Sequence, residues 1–160
     1  MEMYRDWRNR IEEVYARQAD TVWRVCYSYM QNPHDTDDMV QETFLRLMGA
    51  DPQFSDEKKE RAWLIVTASN LCKDVLKSRE RRHVPLEEQK HLAVEGPAPN
   101  ALASAIQGLK DSYKMVVYLH YYEGYDMKEI AGLLNISEGN VKMTLHRARR
   151  RLRGLLEEKP

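Results

Sequence analysis

The sequence has few of the features that mark secreted, membrane-spanning or metal-dependent proteins. Its two cysteines, Cys26 and Cys72, have no CxxC partner and no histidine at ligand spacing, so they predict no metal site and favour a reducing compartment. The longest apolar run, residues 115–119, is far too short to cross a bilayer. The N-terminus is too polar for a secretory signal peptide. We therefore expect a cytoplasmic protein that has no membrane insertion, metal or cofactor, and in which both cysteines are buried core thiols.

Charge of one sign does not dominate the chain, but the charges are unevenly distributed. The 25 acidic and 25 basic residues cancel, so the net charge says nothing about binding partners. Acidic residues gather at Asp35, Asp37, Asp38 and Glu42. Basic residues gather in residues 73–82 and again in residues 142–153. Separate acidic and basic patches predict two different partner surfaces.

Strand-type alternation is almost missing, and so are the motifs of common enzyme sites. No paired-carboxylate site, phosphate loop, nucleophile elbow or metal spacing occurs, so nothing favours an enzyme. Helical periodicity predicts an all-α fold with helices at about residues 4–30, 35–49, 61–82 and 101–122. The first of these places five residues on its buried side, namely Ile11, Tyr15, Val22, Cys26 and Tyr29. Asp35 is the predicted cap of the second helix.

Residues 84–100 interrupt the helical pattern. Three prolines and Gly96 in this stretch predict a flexible linker. The expected architecture is two small helical domains, residues 1–83 and 101–160, joined by that linker. As a flexible coil, its ends would lie on the order of 20–25 Å apart, which permits the domains either to pack together or to bind separate sites.

Residues 126–153 predict a helix-turn-helix. Asp126 and Glu129 have the spacing of a capping box at the start of the first helix. After a short turn that includes Asn135, Ser137 can cap the second helix. Steps of four, three, four and three give that helix an apolar face, made of Val141, Leu145, Ala148, Leu152 and Leu155. Every charged residue between Gly139 and Gly154 is basic. Such a helix can enter a major groove while its basic end holds phosphates.

A basic amphipathic helix is more often a solvated surface helix, so this alternative has to be weighed. The short turn favours DNA binding, because Asn135 tolerates a left-handed conformation. The exposed positions at the start of the second helix are small or polar, as contact with base edges requires. We therefore predict that the C-terminal half binds DNA.

A second group of residues lies on the third predicted helix. Trp63 and Asn70 are seven residues apart and so share a face, with Lys73 and Lys77 downstream. An aromatic ring, an amide and a basic tail are suited to holding unstacked bases and their backbone. On composition alone, core packing of Trp63 and solvent exposure of Asn70 remain the simpler interpretation.

Three segments resemble bacterial RNA polymerase sigma factors of the extracytoplasmic-function (ECF) group. Residues 38–44, DMVQETF, are similar to an acidic signature of that family, and residues 62–74 are similar to its A-W-L…A-x-N…D helix. Residues 121–148 are similar to its C-terminal DNA-reading domain. The sequence departs from the family pattern at Lys110, where proline is frequent, at Asn135, where glycine is common, and at Asn140, where threonine is frequent.

The resemblance implies a protein that binds core RNA polymerase, directs it to promoters and initiates DNA melting, with no catalysis of its own. It implies that Asp37, Asp38, Gln41 and Glu42 dock on the polymerase clamp helices, with a further contact to the polymerase flap. The residues implied in recognising and opening the minus-10 element are Phe54, Trp63, Asn70, Lys73, Lys77 and Arg79. Those implied in reading the minus-35 element are Ser137, Glu138, Gly139, Asn140, Lys142, Met143, His146, Arg147, Arg150 and Arg151. An anti-sigma factor is a further possible partner. The competing hypothesis is a free-standing DNA-binding regulator whose N-terminal half is an oligomerisation or sensor module.

Overall fold

The fold is all-helical throughout the part of the chain that the structure describes. This computed structural model describes residues 2–82, 105–106 and 108–157. Its helices are α1 (Glu2–Met30), α2 (Pro33–Ala50), α3 (Glu57–Arg81), α4 (Asp111–Val117), a π-helical segment (Tyr118–Tyr122), α5 (Met127–Leu134) and α6 (Glu138–Glu157). The all-α prediction is confirmed, and the predicted linker, residues 84–100, lies outside the described residues. None of the helices described is long and apolar enough to span a membrane.

Helices α1, α2 and α3 pack against one another around an apolar core. Val22 and Cys26 of α1 are fully buried in it, as the periodicity predicts. The periodicity wrongly predicts that Tyr15 is buried, because 51% of this residue is exposed. The buried stripe passes instead through Val14 and Gln18, and Tyr15 lies at the edge with its ring 4.8 Å from that of Phe44.

The second helix begins earlier than expected and is capped by a different residue. Asn32 is its N-cap and accepts a hydrogen bond from the backbone N–H of Asp35 at 2.8 Å. Pro33 occupies the first turn, where its missing N–H costs nothing. Asp35 is therefore not the cap. Its carboxylate is buried and accepts hydrogen bonds from Arg79 at 2.9 Å and from the Asn32 amide at 2.8 Å.

Helix α3 also begins earlier, at Glu57, with Asp56 as its N-cap. The extra turn contains Glu60, a buried carboxylate that holds α3 to α1. Its oxygens accept hydrogen bonds from Arg17 at 3.0 and 3.3 Å and from the Gln18 amide at 3.0 Å. Cys26 and Cys72 are both buried between α1 and α3. The neighbouring Cys26 thiol and burial raise the pKa of Cys72, so both cysteines are core thiols as predicted.

The single helix predicted for residues 101–122 is wrong in its boundaries. A turn at Gly108 precedes α4, which begins at Asp111, and its last turns widen into the π-helical segment. The periodicity places Ile106, Leu109, Tyr113, Val116 and Val117 in the core, and all of these are buried except Tyr113, which is partly buried. The apolar spacing therefore identifies the core correctly although it misses the break in the backbone.

The two halves of the protein pack against each other, which the sequence left open. Lys114 of α4 donates a hydrogen bond to the Ser28 carbonyl near the end of α1 at 2.5 Å. Arg61 of α3 binds Glu123, just after the π-helical segment, at 2.9 Å. A cleft remains between the middle of α3 and the helix-turn-helix.

Candidate nucleic-acid interface

The predicted capping box at the start of the helix-turn-helix is present. The Asp126 side chain accepts from the backbone N–H of Glu129 at 2.7 Å, and the Glu129 side chain accepts from the backbone N–H of Asp126 at 3.2 Å. Two amides that would otherwise lack partners in the first turn of α5 are therefore satisfied. The capping box therefore fixes the start of α5.

The turn between α5 and α6 depends on one left-handed residue. Asn135 has φ 55° and ψ 47°, and its N–H donates to the Ala131 carbonyl. An asparagine adopts this conformation at lower cost than most side chains. Two residues later, the Ser137 hydroxyl accepts from the backbone N–H of Asn140 at 3.0 Å and so caps α6. Both predicted features of the turn are confirmed.

Helix α6 buries one face and presents the other to solvent. Val141, Leu145, Ala148 and Leu152 are buried against α4 and α5. The ten residues that sequence reasoning assigned to the minus-35 element are all exposed, from Ser137 and Glu138 through Arg150 and Arg151. Asn140 also accepts a hydrogen bond from the buried Thr144 hydroxyl at 3.3 Å, which orients its amide.

The basic residues of α6 do not all have the same environment. Arg147, Arg150 and Arg151 line a shallow groove of about 580 Å³, whose opposite wall is Lys110 and Tyr113. Arg149 lies elsewhere and donates to the Tyr121 hydroxyl at 2.6 Å. The groove concentrates positive charge where a phosphate backbone can lie.

Sequence reasoning missed Lys110 as a member of this groove. The sequence did offer one signal for it, since Lys110 stands where proline is frequent in the sigma-factor pattern.

The aromatic and polar residues assigned to the minus-10 element lie along α3 and the loop before it. Phe54 and Trp63 are both partly buried and pack edge to face, with ring centroids 6.1 Å apart. Asn70 is exposed two turns further along α3, next to the half-buried Lys73. Burial, aided by nearby Lys77, lowers the pKa of Lys73. Trp63 packs against the hydrophobic core and is partly buried, and Asn70 faces solvent, as the simpler interpretation expects.

Arg79 differs from the other basic residues of α3. Its guanidinium forms an ion pair with the buried Asp35 carboxylate at 2.9 Å, and only 21% of its side chain is exposed. Lys77 has no such restraint in the described contacts and is exposed. Arg79 therefore joins α3 to α2 in this conformation, whereas Lys77 is available to a ligand.

The cleft between the two halves brings both predicted DNA-contacting sets together. It has a volume of about 500 Å³. Asn70 and Lys73 of α3 line one wall, and Asn140, Thr144 and Arg147 of α6 line the other. Phe54 and Trp63 are not among its lining residues.

The acidic set lies on a different surface, along α2. Asp37, Asp38, Gln41 and Glu42 are all exposed. Trp23 of α1 donates from its indole nitrogen to Asp37 at 3.2 Å and stacks on Tyr27.

Leu45 follows the acidic set on the same helix and is 55% exposed. Sequence reasoning missed it. Its position four residues after Gln41 and seven after Asp38 places it on their face.

The structure also groups His34, Asp35 and Asp38, whose ligand atoms lie within 4.8 Å of one another. The spacing of the histidines did not predict such a group. Asp35 is already bonded to Arg79 and Asn32, so the group has a structural explanation. We assign it no metal.

Two family models together match most of the chain. Residues 14–82 match the family model of sigma-70 region 2, and residues 100–152 match that of sigma-70 region 4. The ECF RNA polymerase sigma factor SigM of Bacillus subtilis is 30% identical over 155 residues, covering 91% of this chain and 94% of SigM. This chain belongs to the ECF sigma factors.

Other relatives agree with this assignment. SigL of Mycobacterium tuberculosis, another ECF RNA polymerase sigma factor, is 30% identical and covers 91% of this chain and 88% of its own length. The sigma factor RpoE of Bartonella quintana, solved in complex with the anti-sigma factor NepR, has the same fold. Its TM-score is 0.70 at 18% identity, over 97% of this chain and 99% of RpoE. This sigma factor is thus a transcription initiation factor that acts with core RNA polymerase at promoter DNA, and it is not an enzyme.

Proposed function

We propose that this sigma factor recognises the minus-35 element through α6 and opens the minus-10 element through α3 and the loop before it. The proposal rests on two surfaces that line opposite walls of one cleft. One is the basic helix α6 of the helix-turn-helix, and the other is Asn70 next to Lys73 on α3. In this assignment residues 1–83 bind polymerase and open DNA, and residues 101–160 read the minus-35 element. Residues 84–100 connect these two domains.

The recognition step rests on the geometry of α6. Its first turns expose Glu138, Gly139, Asn140 and Lys142, which are small enough or polar enough to approach base edges in the major groove. Arg147, Arg150 and Arg151 follow on the same helix and bind phosphates, which positions the helix without reading sequence. Arginines that neutralise phosphates release the counterions condensed on the DNA, so binding weakens steeply as the salt concentration rises.

The opening step rests on Phe54, Trp63 and Asn70. A base that leaves the duplex loses stacking and pairing worth a few kcal/mol. The partly exposed Trp63 and Phe54 rings offer a stacking surface, and Asn70 offers both a hydrogen-bond donor and an acceptor to a base edge. Lys73 and Lys77 lie downstream, where they can hold the backbone of the separated strand.

Polymerase binding is assigned to the exposed face of α2. Asp37, Asp38, Gln41 and Glu42 present acidic and amide groups, and Leu45 adds an exposed apolar side chain one turn after Gln41. An exposed leucine surrounded by polar groups is the usual composition of a protein interface. We assign this face to the clamp helices of the polymerase and the helix-turn-helix domain to the flap.

Two further assignments follow from the family. RpoE of Bartonella quintana, which has the same fold, has been solved with an anti-sigma factor bound, and we propose that an anti-sigma factor regulates this chain as well. We also place the protein in the cytoplasm, where bacterial RNA polymerase acts.

The direct test is run-off transcription with purified bacterial core polymerase and promoter fragments from the source genome, including the region upstream of this coding sequence. A transcript that depends on adding the protein is the expected result. Absence of any transcript, together with failure to co-purify with core polymerase, would overturn the proposal and favour a free-standing regulator. The Asn70→Ala variant then separates promoter opening from polymerase binding, because it should lose the first and retain the second.

A further inference from the structure

Asn140 is held by two hydrogen bonds at the start of α6. Its backbone N–H donates to the Ser137 hydroxyl at 3.0 Å, which fixes the residue in the first turn. Its side-chain oxygen, Oδ1, accepts from the Thr144 hydroxyl at 3.3 Å. The side chain is nevertheless exposed, on a helix that the proposed function places in the major groove. The amide of Asn140 is therefore oriented before any DNA binds.

Thr144 is the residue that orients this amide. It is 7% exposed and lies one turn after Asn140, beside the buried Leu145. A threonine in a helix can donate to the carbonyl four residues earlier, as Thr36 and Thr43 do here. The Thr144 hydroxyl donates to the side chain of the residue four positions earlier. Because a β-branched side chain has few rotamers in a helix, the direction of this hydrogen bond is set by the backbone.

The hydrogen bond determines which atom of the amide faces DNA. The oxygen and the nitrogen of an asparagine amide diverge from one carbon, Cγ. Since Oδ1 is held towards the buried Thr144, the Nδ2 group is directed away from it, to the exposed side of α6. Nδ2 carries two hydrogens and acts only as a donor. Asn140 therefore presents hydrogen-bond donors to the groove.

The four bases differ in how they meet such a pair of donors. In the major groove guanine presents two acceptors, N7 and O6, whereas adenine presents one acceptor beside its N6 donor. Thymine presents one acceptor next to its methyl group, and cytosine presents its N4 donor. The common asparagine–adenine pair places the amide oxygen and nitrogen side by side against the base edge. Thr144 holds the Asn140 oxygen away from that arrangement, so guanine is the best partner.

We infer that Asn140 reads a guanine in the minus-35 element, and that Thr144 is the positioning residue that imposes this choice. The inference rests on the proposed function, because it uses the assignment of α6 to the minus-35 element. In the sigma-factor pattern threonine is frequent at position 140, and a threonine hydroxyl both donates and accepts. An asparagine oriented by Thr144 discriminates more strictly between acceptors and donors on a base.

The test selects DNA with the complete transcription complex. Holoenzyme assembled from purified bacterial core polymerase and the full-length protein binds a library of random-sequence duplexes, and the bound fraction is sequenced. Thr144→Val removes the hydroxyl and keeps the branched shape, whereas Thr144→Ser keeps the hydroxyl. Thr43→Val is the matched control, since it removes a fully buried threonine hydroxyl that donates to the Met39 carbonyl within α2.

We expect one position of the enriched upstream motif to be guanine, preferred over adenine by on the order of tenfold, as a good contact with a base edge provides. Asn140→Ala should abolish the preference at that position alone. Asn140→Asp removes the donors and should replace guanine by cytosine, whose N4 group donates to a carboxylate.

The positioning role has its own readout. Thr144→Val should reduce the preference for guanine over adenine roughly threefold, the effect of losing one neutral hydrogen bond, because the released amide can turn to pair with adenine. Thr144→Ser and Thr43→Val should keep the wild-type preference. The ratio of two bases within one selection does not depend on the folded fraction, so a loss of stability in Thr144→Val would not imitate this result.

A preference for adenine at the position that responds to Asn140→Ala overturns the assigned base. An unchanged guanine preference in Thr144→Val overturns the role of Thr144. An enriched upstream motif that is the same in wild type and Asn140→Ala overturns the inference and leaves the proposed function standing. If wild-type holoenzyme enriches no upstream motif, the proposed reading of the minus-35 element fails together with the inference.

Discussion

Two arginines that are neighbours in sequence should have different effects on DNA binding. Arg150 lines the basic groove opposite Lys110 and Tyr113, whereas the Arg149 guanidinium is bonded to the Tyr121 hydroxyl at 2.6 Å and lies 6.0 Å from the centre of its ring. Replacing either one with alanine removes the same charge from the same helix. We expect Arg150→Ala to weaken binding to all duplex sequences, because it removes a phosphate contact, and Arg149→Ala to have little effect.

The magnitude follows from counterion release. Each phosphate contact contributes about 0.9 to the slope of log affinity against log salt concentration. Losing one contact should therefore make the slope shallower by about 0.9. Between 50 and 200 mM salt, wild-type affinity should fall about 3.5-fold more than that of Arg150→Ala. Both arginines are exposed helix residues, so neither substitution should alter the fold.

Fluorescence anisotropy with a labelled duplex, repeated at four or more salt concentrations, measures this slope. One duplex should contain a promoter and another should have a scrambled sequence. Equal slope changes for Arg149→Ala and Arg150→Ala would show that only the general charge of α6 matters. An unchanged slope for Arg150→Ala would show that this residue merely faces solvent. Either result would refute the assignment of the groove to phosphates.

Three further predictions concern other surfaces. Asn70→Ala should impair promoter opening, measured by permanganate reactivity of unpaired thymines, while leaving core binding intact, because Asn70 is exposed on α3 and away from α2. Leu45→Ser should weaken binding to core polymerase about tenfold, as loss of an interface residue worth more than 1 kcal/mol does, in a titration with labelled protein. Asn135→Ala should lower the free energy of unfolding by about 1 kcal/mol, whereas Asn135→Gly should not, because φ is 55° at this position.

Controls distinguish these effects from general damage. Leu45 is 55% exposed, so Leu45→Ser should keep the wild-type free energy of unfolding. An unchanged urea transition would assign its weaker core binding to the lost contact. A loss of core binding by Asn70→Ala would mean that this residue is misassigned. Urea unfolding gives the free energies of the Asn135 variants, and equal destabilisation by alanine and glycine would contradict the role of the left-handed turn.

Local sequence patterns were reliable where neighbouring residues alone determine the structure. The capping box at Asp126 and Glu129, the left-handed Asn135 and the Ser137 cap all involve residues within four positions of one another. Such features depend on backbone geometry and short side chains, which the sequence specifies directly. The same patterns misplaced the starts of α2, α3 and α4. Asn32 and Asp56 cap the first two of these helices, and no side chain caps α4.

The helical periodicity predicted which residues form the centre of the core but not which residues lie at its edge. Val22 and Cys26 are buried as predicted, whereas Tyr15 is half exposed, because the buried stripe passes through Val14 and Gln18, and Gln18 is bonded to Glu60 of α3. A helical pattern defines a face to within about one residue, and the neighbouring helix decides which side of that face is covered.

The sequence by itself determined the all-helical fold, the helix-turn-helix and the charged faces of α2 and α6, because each depends on residue spacing within one helix or turn. Its resemblance to sigma factors implied the family. Only the tertiary structure decided that Arg79 is bonded to Asp35, that Arg149 is held by Tyr121 and that Lys110 completes the basic groove. It also decided how the halves pack. Lys114 reads in the sequence as one more surface lysine, and its burial at the end of α1 depends on contacts between residues more than eighty positions apart.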